Sequence, residues 1–143
     1  MEAVDLVGTW RLVSWENTSR DGVSYPMGTD PVGYLSYDPG GRMSVQVMRR
    51  RRGELAGDAV GTASADRLRA VLGGYLAYAG RYKVDRAACT VTHRIECALL
   101  PAQVGTRLTR WFQIDGTRLT LLLSPTSADR RSSGGRVVWE RLD

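Results

Sequence analysis

Little in this chain equips it for metal, redox or nucleotide chemistry. Among 143 residues there is one histidine, His93, and the carboxylates are scattered, which argues against a dedicated metal site. No phosphate-cradling glycine loop runs into a lysine, and no dinucleotide fingerprint opens a helix; Gly40-Gly41 and Gly73-Gly74 read as turn glycines. No cofactor is expected. Cysteine is nearly missing too, with Cys89 and Cys97 eight positions apart on one expected strand. That spacing is roughly 26 Å, beyond disulfide reach, so both read as buried, reduced fillers. Each also lies about 13 Å along the strand from His93, too far for a thiol–imidazole pair.

Long apolar runs are absent as well. The best candidate, LTLLL at 119–123, is strand-sized, so no membrane partner is expected. The opening MEAVDLVGTW is acidic and lacks the basic start of a signal peptide, which makes the cytoplasm the default location. Without secretion, the glycosylation pattern Asn17-Thr18-Ser19 carries no weight. Lysine is scarce: of 20 basic residues only Lys83 is not arginine, and the net charge is +5. Part of that excess forms the run Arg49 to Arg52. Such a block is ordinarily a solvated strand end or loop. The competing view makes it a patch for acidic partners, and the chain a non-enzymatic interaction module with a filled barrel. Nucleic acid would call for interleaved aromatics, and none are there.

What the chain does have is alternation. Its centre, residues 75–115, reads as three antiparallel strands at roughly 78–85, 89–99 and 106–115. In the middle one Val91, His93, Ile95, Cys97 and Leu99 point one way, and Thr90, Thr92, Arg94 and Glu96 the other. Before them come strands at 8–16, 33–38 and 42–49, with Arg20-Asp21-Gly22 and Pro39-Gly40-Gly41 as turns. In the first strand Trp10, Leu12 and Ser14 share one face, and Arg11, Val13 and Trp15 the other. Both faces of the 33–49 hairpin are apolar, which leaves its inward parity open. A helix is expected from Ser64, an N-cap with Asp66 in the first turn, and Leu68, Val71, Leu72 and Tyr75 form its stripe. Residues 117–124 and 136–142 complete the strands, separated by a polar loop at 125–135. With no repeat and no linker, residues 1–143 form a single domain of all-β class. The expected architecture is a single antiparallel β-barrel of about eight strands with one short helix, since closure leaves no exposed edge.

The segments LVGTWRLVSWE (6–16), PVGYLSYDPGGRMSVQ (31–46), AYAGRYKVD (77–85), TVTHRIE (90–96), VGTRLTRWF (104–112) and VVWERL (137–142) together resemble the lipocalin-like domain family, small bacterial and fungal calycin-type barrels. The opening Gly8-Thr9-Trp10 is similar to the Gly-x-Trp start of true lipocalins, where the tryptophan plugs the closed end under an arginine of the last strand. The resemblance implies that Trp10 and Arg141 fill those structural places. It implies a cavity for a small organic ligand and no defined reaction, although some such barrels are cofactor-free cyclases or isomerases of natural-product pathways.

The expected interior then supplies the candidates. Arg110 shares a face with Leu108, Phe112 and Ile114, and there an arginine must find an anion, carbonyls or a ring. It either pairs with an internal carboxylate or backbone oxygens, or it meets an acidic or enolate-like ligand oxygen. His93 either braces the barrel as a neutral imidazole or acts as a general acid or base. Tyr78 and Tyr82, roughly 13 Å apart on one strand face, are wall residues, one of them a candidate proton donor. The candidate catalytic set is His93, Arg110 and Tyr82. The candidate ligand wall is Tyr78, Val91, Ile95, Leu108, Phe112, Trp139, Tyr37 and Met43. A homodimer and a lid formed by residues 50–75 both stay open.

Overall fold

The computed structural model describes residues 6–123 and 134–142. Nine strands follow in order: β1 (Gly8–Ser19), β2 (Gly22–Ser24), β3 (Val32–Tyr37), β4 (Arg42–Met48), β5 (Tyr75–Asp85), β6 (Thr90–Ala98), β7 (Arg107–Asp115), β8 (Arg118–Leu122) and β9 (Gly134–Arg141). One α-helix, α1 (Ala65–Gly73), lies between β4 and β5. Every neighbouring pair from β3 to β9 is antiparallel, and β1 pairs with β3 on one side and β9 on the other. The sheet therefore closes on itself as an eight-strand barrel, with β2 a short hairpin arm on β1. Closure uses the backbone groups that an open edge would leave unpaired.

Alternation does what the sequence implies along most of the wall. Leu35 and Tyr37 on β3 and Met43, Val45 and Val47 on β4 turn inward, which settles the parity of that hairpin. Val91, His93 and Ile95 on β6, Leu119 and Leu121 on β8, and Val137 and Trp139 on β9 fill the rest. Between β7 and β8 the turn is Gly116-Thr117, and Gly116 takes φ +62°, a left-handed conformation that glycine adopts without steric cost.

Two irregularities rephase strands. On β1 the pairing to β9 steps from Leu12–Trp139 to Ser14–Val138, leaving Val13 unmatched. Beyond it Trp15 packs against the core, so Trp15 and Trp10 share the inside, contrary to the simple alternation expected there. On β6 the pairing to β5 steps from Ile95–Gly80 to Cys97–Ala79, leaving Glu96 as the extra residue. Cys97 is thereby turned outward and exposed, and Cys89, with φ +54°, sits exposed in the turn before β6. The expectation of two buried cysteines is thus overturned; both are free thiols at the surface. Gly80 makes the Glu96 bulge sterically feasible: a Cβ there would sit 1.9 Å from the Arg94 carbonyl oxygen.

The helix starts as its cap predicts, with the Ser64 hydroxyl accepting from Arg67 N at 3.2 Å. Its stripe is shorter than expected, because Tyr75 opens β5 instead of completing a further turn. No helix residue is buried, and Leu72 is half exposed. The arginine run supplies the attachment. Arg52 donates to the Val71 carbonyl at 2.7 Å, and its guanidinium lies 5.0 Å from the Tyr75 ring centroid. A cation at the last turn also meets the negative end of the helix dipole. Arg50 pairs with Asp30 at 2.7 Å. The polar loop expected at 125–135 lies, through residue 133, outside the described residues. No helix among the described residues is long and apolar enough to cross a membrane.

Candidate functional site

The two ends of the barrel are built differently. At one end Trp10 is fully buried and its indole N–H donates to the Leu6 carbonyl at 3.0 Å. The Arg141 guanidinium lies 4.1 Å from the Trp10 ring centroid and donates to the Val7 carbonyl at 2.8 Å. A desolvated guanidinium stacked on indole contributes up to about 2 kcal/mol. Among the described residues, no buried polar atom of Trp10 or Arg141 lacks a partner.

Higher in the barrel the walls part around a cavity of about 80 Å³. One water needs roughly 10–15 Å³, so the space admits several waters or one compact organic group. Its lining is mostly apolar, with Leu35, Val45, Val47, Leu108 and Leu121 among the walls. Its polar members are Tyr78, His93, Arg110, Gln103 and the indoles of Trp15 and Trp139.

His93 is held from both sides. Tyr37 Oη lies 2.6 Å from Nε2 and Tyr78 Oη lies 2.7 Å from Nδ1, joining β3, β6 and β5 by side chains alone. Burial, with the nearby Arg110 charge adding to it, lowers the histidine from 6.5 to about 3. The ring is therefore neutral at pH 7, and any proton it moves passes along this chain rather than to water. Burial raises Tyr78 to about 12, against the opposing effect of Arg110, and raises Tyr37 well above its usual value. Both phenols keep their protons near neutrality.

Arg110 forms no hydrogen bond or ion pair among the described residues. No buried carboxylate faces it: the only buried polar or charged residue among those described is His93. Three further polar atoms on the wall also lack partners, namely Trp15 Nε1, Trp139 Nε1 and Gln103 Oε1. Buried polar groups are normally satisfied, so three unpaired buried atoms on one cavity wall, beside a partly buried guanidinium, set this region apart from the rest of the interior.

Of the candidates read from the sequence, His93, Arg110, Tyr78, Leu108 and Trp139 meet at this cavity. Tyr37 stands behind His93, in bonding contact with it but off the cavity surface. Val91, Ile95 and Met43 are buried in the core and Phe112 packs against it, all away from the cavity surface. Tyr82 is not brought to the cavity. Its hydroxyl donates to the Asp38 carbonyl at 2.7 Å and its ring packs edge-on to Tyr37, centroids 4.7 Å apart. Trp15 and Gln103 escaped the sequence reading. A bulge redirects Trp15, and Gln103 ends the short 3-10 turn Pro101–Gln103, where no period marks a side chain's direction. No cluster of three or more potential metal ligands occurs among the described residues.

No curated protein matches the chain in sequence. Among solved structures, a redesigned β-barrel aligns with a TM-score of 0.46 at 16% identity, over 99% of this chain and 95% of that one. The family of lipocalin-like domains matches residues 7–142, nearly the whole length. With the closed barrel, the plugged end and the interior cavity in place, the chain belongs to the lipocalin-like domain family.

Proposed function

We propose that this barrel binds one compact organic small molecule in the cavity walled by Tyr78, His93, Leu108, Arg110 and Trp139. The observation that carries the reading is Arg110: a guanidinium on an interior wall with no protein partner among the described residues. The residue is only partly buried, so solvent can serve its guanidinium, and a ligand oxygen entering the cavity would exchange that hydration for a charge-assisted contact. The volume suits a single ring or short chain, and a medium-sized molecule would extend from the cavity toward the mouth.

Any chemistry on the bound molecule would be of a cofactor-free kind: cyclisation, isomerisation or dehydration. Apolar walls would hold a flexible substrate near its reactive shape, and Arg110 would stabilise negative charge as it develops. His93 would take part through its tyrosines, since its lowered pKa leaves it a poor base at neutral pH.

The test is native mass spectrometry of the purified protein beside a Leu108→Trp variant, in which the indole occupies the cavity. Wild type should carry or take up an organic ligand, and the filled variant should lose it with a melting temperature close to wild type. Equal uptake by both proteins would place the ligand elsewhere and end the reading.

A further inference from the structure

The two tyrosines that grip His93 are not equivalent. Tyr37 is 2% exposed, lies off the cavity surface and has no hydrogen-bond partner but His93 among the described residues. Tyr78 is 8% exposed and lies on the cavity wall. A neutral imidazole carries one N–H and one bare nitrogen, and each phenol carries one hydrogen. Only two arrangements satisfy both short contacts.

In one, Tyr78 donates to Nδ1 and Nε2–H donates to Tyr37, which leaves the Tyr37 hydrogen sealed in the core without an acceptor. In the other, Tyr37 donates to Nε2 and Nδ1–H donates to Tyr78, so the spare hydrogen belongs to Tyr78 and faces the cavity. A buried donor with no acceptor is strongly disfavoured, whereas a donor on a cavity wall can be met by water or ligand. The second arrangement follows, with the tautomer fixed by what surrounds it.

We infer that Tyr78 is the hydrogen-bond donor of the cavity, its polarity set by the chain Tyr37→His93→Tyr78, and that with Arg110 it selects ligands presenting an acceptor oxygen, a carboxylate or carbonyl. This rests on the cavity being a binding site and names the chemistry it accepts. Arg110 has only N–H groups to offer, and Tyr78 has its single acceptor role taken by Nδ1–H. An ammonium or amide N–H pointing at Tyr78 and Arg110 would meet donors and a positive charge, and the unpaired acceptor the lining offers it is Gln103 Oε1 alone among the described residues. A carboxylate would take both groups, and a neutral ketone would take the Tyr78 hydrogen without the full charge pairing. The raised Tyr78 pKa, about 12, keeps the hydrogen in place at working pH. Tyr37 is then a positioning residue that acts through His93.

Because His93 is the only histidine, 15N-labelled histidine gives one ring to read. Nδ1 should show a pyrrole-like shift with an attached proton, and Nε2 a pyridine-like shift that moves further that way in Tyr37→Phe, which removes its donor. A proton on Nε2 overturns the inference, and this measurement in the unaltered protein decides even if a variant fails to fold. Binding is followed by tryptophan fluorescence with benzoate, acetophenone and benzylamine, probes of one ring and one polar group. Benzoate should bind at least tenfold more tightly than benzylamine, with acetophenone between them, and Tyr78→Phe should abolish the acetophenone advantage. Benzylamine binding as well as benzoate, or a preference unchanged in Tyr78→Phe, overturns the donor assignment and leaves the binding site intact. If none of the three binds, the cavity reading falls together with it.

Discussion

Tryptophan and arginine occur together in two regions of this barrel, and only one of the two is completed by the fold. At the plugged end Trp10 and Arg141 have found each other, and the carbonyls of Leu6 and Val7 take their N–H groups. Around the cavity Trp15, Trp139 and Arg110 have the same chemical needs and no protein atom among the described residues meets them. The residue types are shared, so composition cannot tell the completed pair from the uncompleted groups. Satisfaction can: a group completed by the fold contributes to stability, whereas an uncompleted group on the cavity wall is open to an incoming partner.

That contrast can be broken in three places, the largest effect first. His93 is braced on the cavity side, and its lowered pKa gives the sign of the response. An unfolded chain protonates its histidine below pH 6.5, while the folded ring stays neutral down to about 3. The unfolded state binds more protons between those values, so stability falls as the pH drops through that window, by roughly 5 kcal/mol in full. Urea midpoints at pH 7 and pH 4 should differ accordingly, and His93→Gln should flatten the slope that this group contributes.

The plug comes next. Trp10→Ala should cost about 3–5 kcal/mol, because it empties a fully packed site and strips Arg141 of its stacking surface. Thermal melts read this directly, and ligand uptake by the protein that remains folded should be unchanged. The smallest effect on stability belongs to Arg110→Met. With no protein partner to abandon, the unliganded fold should shift by less than about 0.5 kcal/mol in either direction. Benzoate binding should nevertheless weaken at least tenfold, as expected when a charge-assisted contact is lost. An Arg110→Met variant that unfolds like Trp10→Ala would erase the distinction between the two ends.

Much of the wall could be read from the chain because period-two alternation is a local property. Neighbour spacing alone places His93, Leu108, Arg110 and Trp139 inward, and all four line the cavity. The reading failed where one residue breaks the count. The unmatched Val13 carried Trp15 inside, and the extra Glu96 carried Cys97 outside, with no sequence mark at either position. It also failed where partners are remote. Tyr37 and His93 are 56 positions apart, and only barrel closure puts a phenol against Nε2. Tyr82 faces the inside of β5 as expected but sits too near the strand's other end, so its hydroxyl found the Asp38 carbonyl instead. Depth along a barrel is set by strand stagger, which alternation does not encode.

Glu96 shows what a single inserted residue does for the whole design. Standing outside the ladder, its carboxylate reaches Arg42 at 3.7 Å and Arg81 at 3.4 Å, spanning three adjacent strands on the outer surface. Both ion pairs are solvent-exposed and contribute little by themselves. What the barrel reads at this position is the count. Removing the residue outright would return β6 to plain alternation, with Cys97 still outward and Ala98 still inward, whereas a second inserted residue would swing Cys97 toward the hydrophobic filling and push Ala98 into water; exchanging Glu96 for glutamine would leave the phase untouched. At position 96 the strand absorbs one surplus residue and has no room for a second.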